Sequence, residues 1–339
     1  MSDAIIRIDG LKKYFPVNTG LRDIFSREKR YVRAVDDVSL ELQRGEILGL
    51  AGESGSGKTT TGEIIVRLQD ATGGEIFVDG HPITATTFAD KKRFRREVQM
   101  IFQDPYETLN PRFDVFETIA EPLRIHGIRD IATIQRRVFE CLEIAELKPA
   151  EQYVYRFPHE LSGGQRQRVA IARGIVLEPK VLIADEPVSM LDVSIRADIL
   201  NLLKNLRKRI GLSMIYISHD LATIKYLCDR IAVMYLGKIV EIGPADSVID
   251  SPQHPYTQVL VSSVPVAHPD RRRTPIEIDD AVPDQINLPV GCRFIPRCPF
   301  AREQCSDCTH ELFDRAAAGD PPHRSACLFD VEEQGATKG

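Results

Sequence analysis

The 339-residue chain has no apolar run approaching the roughly 18 residues that would cross a bilayer, so a spanning helix is excluded. Its start, Met1-Ser2-Asp3-Ala4-Ile5-Ile6-Arg7, lacks the apolar core of a secretory signal, and the expectation is a cytoplasmic protein. Excess positive charge is missing as well. Lys and Arg number 44 against 49 Asp and Glu, a formal net charge of −5, which gives no electrostatic reason to expect nucleic acid as a partner. Sustained heptads are absent, which argues against long coiled-coil arms, and no internal repeat is visible. Before residue 290 cysteine is limited to Cys141 and Cys228, which read as ordinary buried thiols. A disulfide framework is not expected in a cytosolic protein. Against these absences, 43% of the residues are hydrophobic, enough for a substantial core, and the length suits one large domain or two smaller ones.

What is present begins with Gly52-Glu53-Ser54-Gly55-Ser56-Gly57-Lys58-Thr59, the spacing G-x-x-x-x-G-K-[ST]. It follows the apolar run Ile47 to Ala51, which reads as a buried strand, and precedes a helix with Ile64, Ile65 and Leu68 on one side. Glycines let the backbone turn tightly, so that successive N–H groups point at phosphate oxygens, and the helix N-terminus adds a favourable dipole. Lys58 is the candidate for the β- and γ-phosphates and Thr59 for Mg²⁺.

A second apolar strand, Val181 to Ala184, delivers Asp185 and Glu186 at its tip. Asp185 is a candidate for holding Mg²⁺, and Glu186 for orienting or deprotonating the attacking water. Phosphoryl transfer depends on positioning and charge neutralisation. Between the two motifs lies Leu161-Ser162-Gly163-Gly164-Gln165-Arg166-Gln167-Arg168, a second glycine-bearing helix start and so a second anion site. Arg168 reads as an ordinary solvated helix residue. His219 follows the strand Met214 to Ile217, at the sheet edge where open α/β folds bind ligands.

These motifs together resemble the nucleotide-binding subunit of an ATP-binding cassette (ABC) transporter. The resemblance implies an α/β, ABC-type P-loop NTPase with a RecA-like core, an N-terminal antiparallel β subdomain and a helical subdomain. It makes Ser162, Gly163, Gly164 and Gln165 the signature that closes over ATP held by a second subunit. It makes Gln103 the glutamine-loop residue near Mg²⁺, Asp192 the D-loop aspartate despite Met190 at a position more often alanine, and His219 the switch histidine. Phe15, or Tyr14 one register away, becomes the adenine-stacking aromatic. Gly52, Ser54, Gly55, Ser56, Gly57, Lys58, Thr59 and Thr60 become the nucleotide cradle. Glu186, His219, Lys58 and Gln103 carry catalysis. The implied cofactors are ATP and Mg²⁺.

Organisation follows the motifs. Residues 1 to about 103 read as strands and turns around the phosphate loop, with a charged insertion from Asn18 to Arg30. Residues 104–175 read as mainly helical, and the resemblance makes them the family's helical subdomain, with the Asp104 to Arg124 edge facing the membrane subunit. Strands and helices then alternate to about 245. A helix near Ser194 to Ile210 carries an apolar stripe of Ile195, Ile199, Leu202, Leu203, Leu206 and Ile210, stopped by Gly211. Arg230 to Gly243 reads as two strands joined near Leu236-Gly237. The expected domains are an ATPase at 1–262, a linker at 263–290 and a Cys-rich extension at 291–330.

His254-Pro255-Tyr256-Thr257 and the tail Gly291-Cys292-Arg293-Phe294-Ile295-Pro296-Arg297-Cys298-Pro299-Phe300, with Cys305 and Cys327 beyond, resemble the C-terminal extension of oligopeptide/dipeptide importer ATPases. The insertion resembles the second ATPase of those systems. That resemblance implies a homologous sister ATPase in a heterodimer, two transmembrane permease subunits and an extracytoplasmic binding protein. It implies peripheral attachment on the cytoplasmic side of the membrane, and leaves oligosaccharide or nickel-chelate cargo as alternatives to peptides. Cys292, Cys298, Cys305 and Cys327 form a soft-ligand set for which a 4Fe-4S cluster, zinc and no metal all stay open. Cys305-x2-Cys308 speaks for zinc, although Cys308 lies outside the family pattern. The contrasting class is a soluble ABC ATPase of DNA repair or translation. The missing coiled coil, the single cassette and the tail weigh against it.

Overall fold

The structure, a computed structural model, describes residues 3–17, 30–83, 88–263, 276, 278 and 285–331. The chain opens with β1 (Ala4–Pro16), β2 (Tyr31–Gln43), β3 (Ile47–Ala51), α1 (Lys58–Ile65), β4 (Gly73–Val78) and β5 (His81–Pro82). Next come α2 (Phe88–Glu97), β6 (Val98–Ile101), α3 (Pro105–Thr108), α4 (Val115–Ile125), α5 (Ile131–Ile144) and α6 (Gly163–Ile175). Strands and helices then alternate through β7 (Val181–Asp185), α7 (Val193–Ile210), β8 (Ser213–Ser218), α8 (Leu221–Leu227), β9 (Arg230–Tyr235) and β10 (Lys238–Pro244). Last are α9 (Ala245–Asp250), α10 (Pro255–Ser262), β11 (Phe313–Asp314) and β12 (Arg324–Ser325). Strands β2-β1-β4-β5 form one four-stranded sheet.

The chain divides into two compact units. The first is built mainly from Phe77–Ile217. In it β6, β7 and β8 pair in parallel, with Ile101 beside Ala184 and Asp185 beside Ile217. Every residue of β7 and β8 is buried, as expected of parallel strands covered on both faces. Its helices start at carboxylate caps. Asp114 accepts from the Glu117 N–H at 2.7 Å and Asp130 from the Thr133 N–H at 2.9 Å, each satisfying an end donor of α4 or α5.

The second unit comprises Ile8–Leu40, Leu48–Ile76 and the residues from Ser218 onward. Here β3 pairs in parallel with β9, which turns at Leu236-Gly237 into antiparallel β10. Both turn residues have positive φ, 45° and 82°. The tail extends the same sheet, β12 pairing with β10 and β11 with β12.

Two features differ from the sequence reading. Helix α2 stands where only strands and turns were expected; its sequence FADKKRFRRE is too charged to show an apolar stripe. On α7 the buried face is Ile199, Leu200, Leu202, Leu203 and Leu206, whereas Ile195 is half-buried and Ile210 is 41% exposed in the last turn. Gly211 ends the helix in the left-handed conformation, as expected. Most of the Asn18 to Arg30 insertion and most of the 263–290 segment lie outside the described residues.

Candidate functional site

In the second unit β3 runs into the phosphate loop and the loop into α1. Gly57 caps α1 with φ of 104°, and a Cβ there would lie 2.2 Å from the Ala34 carbonyl oxygen. A Cβ on Gly52 would lie equally close, 2.2 Å, to the Met234 carbonyl oxygen. Both obstacles are backbone, so only glycine fits. The Lys58 ammonium is buried in the loop and donates to the Gly52 and Glu53 carbonyls, both at 2.8 Å, and to Ser56 Oγ at 3.3 Å. The N–H and hydroxyl of Thr61 both return to the Gly57 carbonyl at 2.9 Å, closing the first turn. Thr59 and Thr60 therefore sit at a helix N-terminus, where backbone donors and dipole favour an anion.

His219 is exposed directly after β8, and its loop is tightly held. Ser218 Oγ accepts from the Asp220 N–H at 3.0 Å, and Asp220 caps α8 through the Ala222 N–H at 2.9 Å. The two aromatic candidates on β1 separate clearly. The Tyr14 hydroxyl donates to Asp36 at 2.5 Å, and burial first, then Asp36, pushes its pKa up to about 12. Phe15 is half-buried, with the Lys13 ammonium 5.0 Å from its ring centroid. Asp36 in turn receives the buried Arg293 guanidinium, which also donates to the Leu236 carbonyl.

In the first unit the structure brings Gln103 and Glu186 together: Gln103 Nε2 donates to Glu186 Oε2 at 3.3 Å. Asp185 is buried at the end of β7. Glu186 takes a left-handed φ of 43°, and its N–H donates to the Ile217 carbonyl at 2.9 Å. A non-glycine residue in that region carries backbone strain of about 1–3 kcal/mol. The Glu186 carbonyl accepts from both the N–H and the hydroxyl of Ser189, at 3.2 and 3.0 Å.

The signature segment starts α6 with a capping box. Ser162 Oγ accepts from the Gln165 N–H at 3.3 Å, and Gln165 Oε1 accepts from the Ser162 N–H at 3.0 Å. A Cβ on Gly164 would meet Ile195 Cγ2 at 2.6 Å, so this glycine lets α6 approach α7 closely. Gly163 lies nearer the surface. Arg166 stacks 3.9 Å from the Tyr106 ring centroid. Arg168 differs from the expected solvated residue: it donates to the Ala145 carbonyl at 3.0 Å and pairs with Glu146 at 2.8 Å. Asp192 is exposed at the start of α7 and makes no side-chain cap bond.

The tail cysteines converge. Cys292, Cys298, Cys305, Cys308 and Cys327 all line one cavity with apolar walls that include Phe294 and Phe329. Burial, with the neighbouring Cys308, Cys298 and Cys305, pushes the Cys292 thiol up to about 12. Burial also raises Cys298 to about 11, with Cys327 and Cys305 adding to it. Cys308 Sγ donates to the Cys305 carbonyl at 3.3 Å, a bond that occupies it within its own turn. Among the described residues no group of three or more His, Cys, Asp or Glu is arranged to hold a single metal ion. The tail is also tied to the cassette. Glu241, fully buried, accepts from the His254 N–H at 2.9 Å and pairs with His323 Nε2 at 2.7 Å.

Two family matches cover much of these elements. Residues 35–189 match the family described as ABC transporter, and residues 240–305 match the oligopeptide/dipeptide transporter C-terminal region. A relative in Brucella ovis, provisionally named a peptide import ATP-binding protein, is 43% identical over 92% of this chain and 96% of its own. The chain belongs to the ABC transporter ATPase family. The ATPase is also 42% identical to the dipeptide transport ATP-binding protein DppF of Haemophilus influenzae, over 88% of this chain and 89% of that one. Among solved structures it is similar to the dimeric, post-hydrolysis ATP-binding cassette MJ0796 bound to ADP and Pi. That match has a TM-score of 0.61 and 28% identity, and covers 71% of this chain and 98% of the other. Among the described residues of the ATPase no helix is long and apolar enough to cross a membrane.

The sequence motifs fall after β3, β7 and β8 and at the start of α6. Motif spacing did not point to Glu53, Asp36, Arg293 and Arg297, whose partners lie up to 257 positions away. The only signal in sequence was two arginines set among cysteines and apolar residues in Cys292-Arg293-Phe294-Ile295-Pro296-Arg297-Cys298.

Proposed function

We propose that this ATPase energises a peptide-type importer: it binds and hydrolyses ATP on the cytoplasmic side of the membrane and drives two permease subunits fed by an external binding protein. The observation that carries this reading is the union, in one chain, of the cassette with the oligopeptide/dipeptide C-terminal region over residues 240–305. The names of its relatives, for peptide, dipeptide and glutathione import, support a peptide cargo.

In this reading the phosphate-loop N–H groups and Lys58 bind the β- and γ-phosphates. Phe15 stacks on adenine, because the Tyr14 hydroxyl is already engaged by Asp36. Thr59, Asp185 and Gln103 supply the oxygen donors that suit Mg²⁺, which would neutralise phosphate charge. Glu186, oriented by its strained backbone and by Gln103, takes the proton of the attacking water, and His219 senses the γ-phosphate. Ser162, Gly163, Gly164 and Gln165, with Asp192, serve the nucleotide of a sister ATPase in a head-to-tail heterodimer. The capping box fits that role, since it sets the direction of the remaining N–H donors of α6.

A surface for the permease is available in the helical segment 104–175. A groove between α4 and α5 is lined by Phe116, Arg124, Ile128, Arg129, Ile131 and Ile134. Ile125 and Ile131 beside it are 66% and 77% exposed, an apolar rim that calls for a protein partner.

For the cysteine-rich tail our reading is a 4Fe-4S cluster, with zinc as the alternative. Five cysteines line one apolar cavity, and cysteine thiolates are the ligands an iron–sulfur cluster uses. Cys292, Cys298, Cys305 and Cys327 would hold it, Cys308 being engaged locally. Such a group would staple a segment whose strands are two residues long. We divide the chain accordingly into an ATPase domain at 1–262, a linker at 263–290 and an extension at 291–330.

The test is reconstitution with the permease subunits and binding protein. Short peptides should stimulate hydrolysis; stimulation only by oligosaccharide or a nickel chelate would reassign the cargo. Oxygen-free purification should give a brown, iron-containing protein that loses its iron in Cys298→Ser. A colourless, iron-free protein would remove the cluster.

A further inference from the structure

Glu53, the second residue of the phosphate loop, is gripped from two distant segments. Its N–H donates to the Tyr256 hydroxyl at 2.8 Å. Its carboxylate takes both arms of the Arg297 guanidinium, Nη1 to Oε2 at 2.9 Å and Nη2 to Oε1 at 3.2 Å. A two-armed pair fixes the plane and rotation of a carboxylate, which a lysine ammonium cannot do. The Arg297 side chain is 6% exposed and that of Glu53 33%, so the pair is largely shielded from water. Burial works against the charge on Arg297, yet Glu53 and Tyr235 hold its pKa above the ordinary arginine value.

Arg297 is itself well placed. It closes the 3₁₀ turn Ile295–Arg297, its N–H donating to the Phe294 carbonyl at 3.0 Å. Phe294 is buried against Tyr235 and Tyr256, with centroids at 5.3 and 5.5 Å. A linker residue reaches the same loop: Gln285 Nε2 donates to the Gly55 carbonyl at 3.1 Å. The link continues to the phosphate-binding group, because the Glu53 carbonyl accepts from Lys58 Nζ at 2.8 Å.

We propose that Arg297 is a positioning residue for nucleotide binding: through Glu53 the Cys-rich tail holds the phosphate loop in its binding shape. A glycine-rich loop has much conformational freedom to lose, and ordering it beforehand removes that loss from the binding step. Without Arg297 the loss falls on ATP. The effect therefore appears in nucleotide affinity and KM, with kcat nearly unchanged. The proposal rests on the reading of Gly52 to Thr59 as the ATP site.

The experiment measures MgATP KM and kcat in the full-length subunit with its partners, and the Kd of a non-hydrolysable ATP analogue with Mg²⁺. Arg297→Gln and Glu53→Gln should each raise KM and Kd about tenfold and change kcat less than about twofold. The double variant should be no weaker than either single, because both break one interaction. Arg297→Lys should fall between wild type and Arg297→Gln. Should Arg297→Gln fail to fold, Glu53→Gln, altered on the more exposed side of the pair, gives the same reading. Lys58→Ala separates the two levels. If it binds nucleotide normally, the ATP site itself is misassigned. If it loses binding while Arg297→Gln and Glu53→Gln keep wild-type KM and Kd, or if their effects add, the positioning role is overturned. A lowered Tm with unchanged KM would likewise reduce Arg297 to a structural residue.

Discussion

Phe294→Ala should destabilise the whole second unit, well beyond the tail that carries the residue. Phe294 is 1% exposed. Its ring meets Tyr235 edge-on at 5.3 Å, Tyr256 at 5.5 Å and His254 at 6.0 Å between centroids. Tyr235 ends β9, next to the strand that leads into the phosphate loop, and Tyr256 holds the loop through the Glu53 N–H. Truncating a buried phenylalanine costs about 3–5 kcal/mol, through lost transfer energy and the cavity left behind. Here the cavity adjoins the cysteine-lined space, so the surroundings gain little by collapsing. For a chain of this size about 2 °C of Tm is lost per kcal/mol, so the expected fall is about 6–10 °C. Thermal denaturation followed by near-ultraviolet circular dichroism reads it through the tyrosines. Phe294→Leu, which keeps most of the volume, should lose less than half as much. A shift below about 1 °C for Phe294→Ala would refute the reasoning, because it would mean that the tail and the cassette unfold separately.

Three other perturbations follow from the same geometry. Gly57→Ala puts a Cβ 2.2 Å from the Ala34 carbonyl oxygen at a φ of 104°, so nucleotide affinity measured by calorimetry should fall more than about tenfold; wild-type affinity would contradict the loop geometry. Ser162→Ala opens the capping box of α6 and should cost about 1 kcal/mol of thermal stability, which Ser162→Asp should largely restore; equal losses in both would remove the cap. Burial lowers the folded pKa of His254 from 6.5 to about 3, so the unfolded chain binds its proton first. Its contribution is complete above about pH 6.5 and is lost as pH falls toward about 3; Tm should drop across that window in wild type and less steeply in His254→Gln. A slope identical in both proteins would contradict the assignment.

Local chemistry made the nucleotide motifs legible. The phosphate loop, the acidic strand end and the capped start of α6 are each written in consecutive residues whose turn and capping preferences are local. The strands β3, β7 and β8 were visible for the same reason: each is buried along its whole length and carries a run of apolar residues. Helix α2 was hidden because charge dominates its sequence and Phe94 is among its few buried residues. Arg168 read as solvent-facing because its partners Ala145 and Glu146 belong to the preceding loop. The tail was legible as a cysteine pattern but not as a structure. Its strands are two residues long, below any period that a sequence can display, and they form only because β10 offers an edge. The Arg297–Glu53 and Arg293–Asp36 pairs join residues 244 and 257 positions apart, and no local rule connects them.

The central claim is that Glu186 activates the attacking water, and its most direct test is Glu186→Gln. Gln103 Nε2 already donates to Glu186 Oε2 at 3.3 Å, so the amide fits the space with one donor rearranged. Measured in the assembled transporter, MgATP affinity should stay within about twofold of wild type, while turnover falls by at least about 10²-fold, the usual contribution of a general base. Turnover equal to wild type at unchanged affinity would contradict the account.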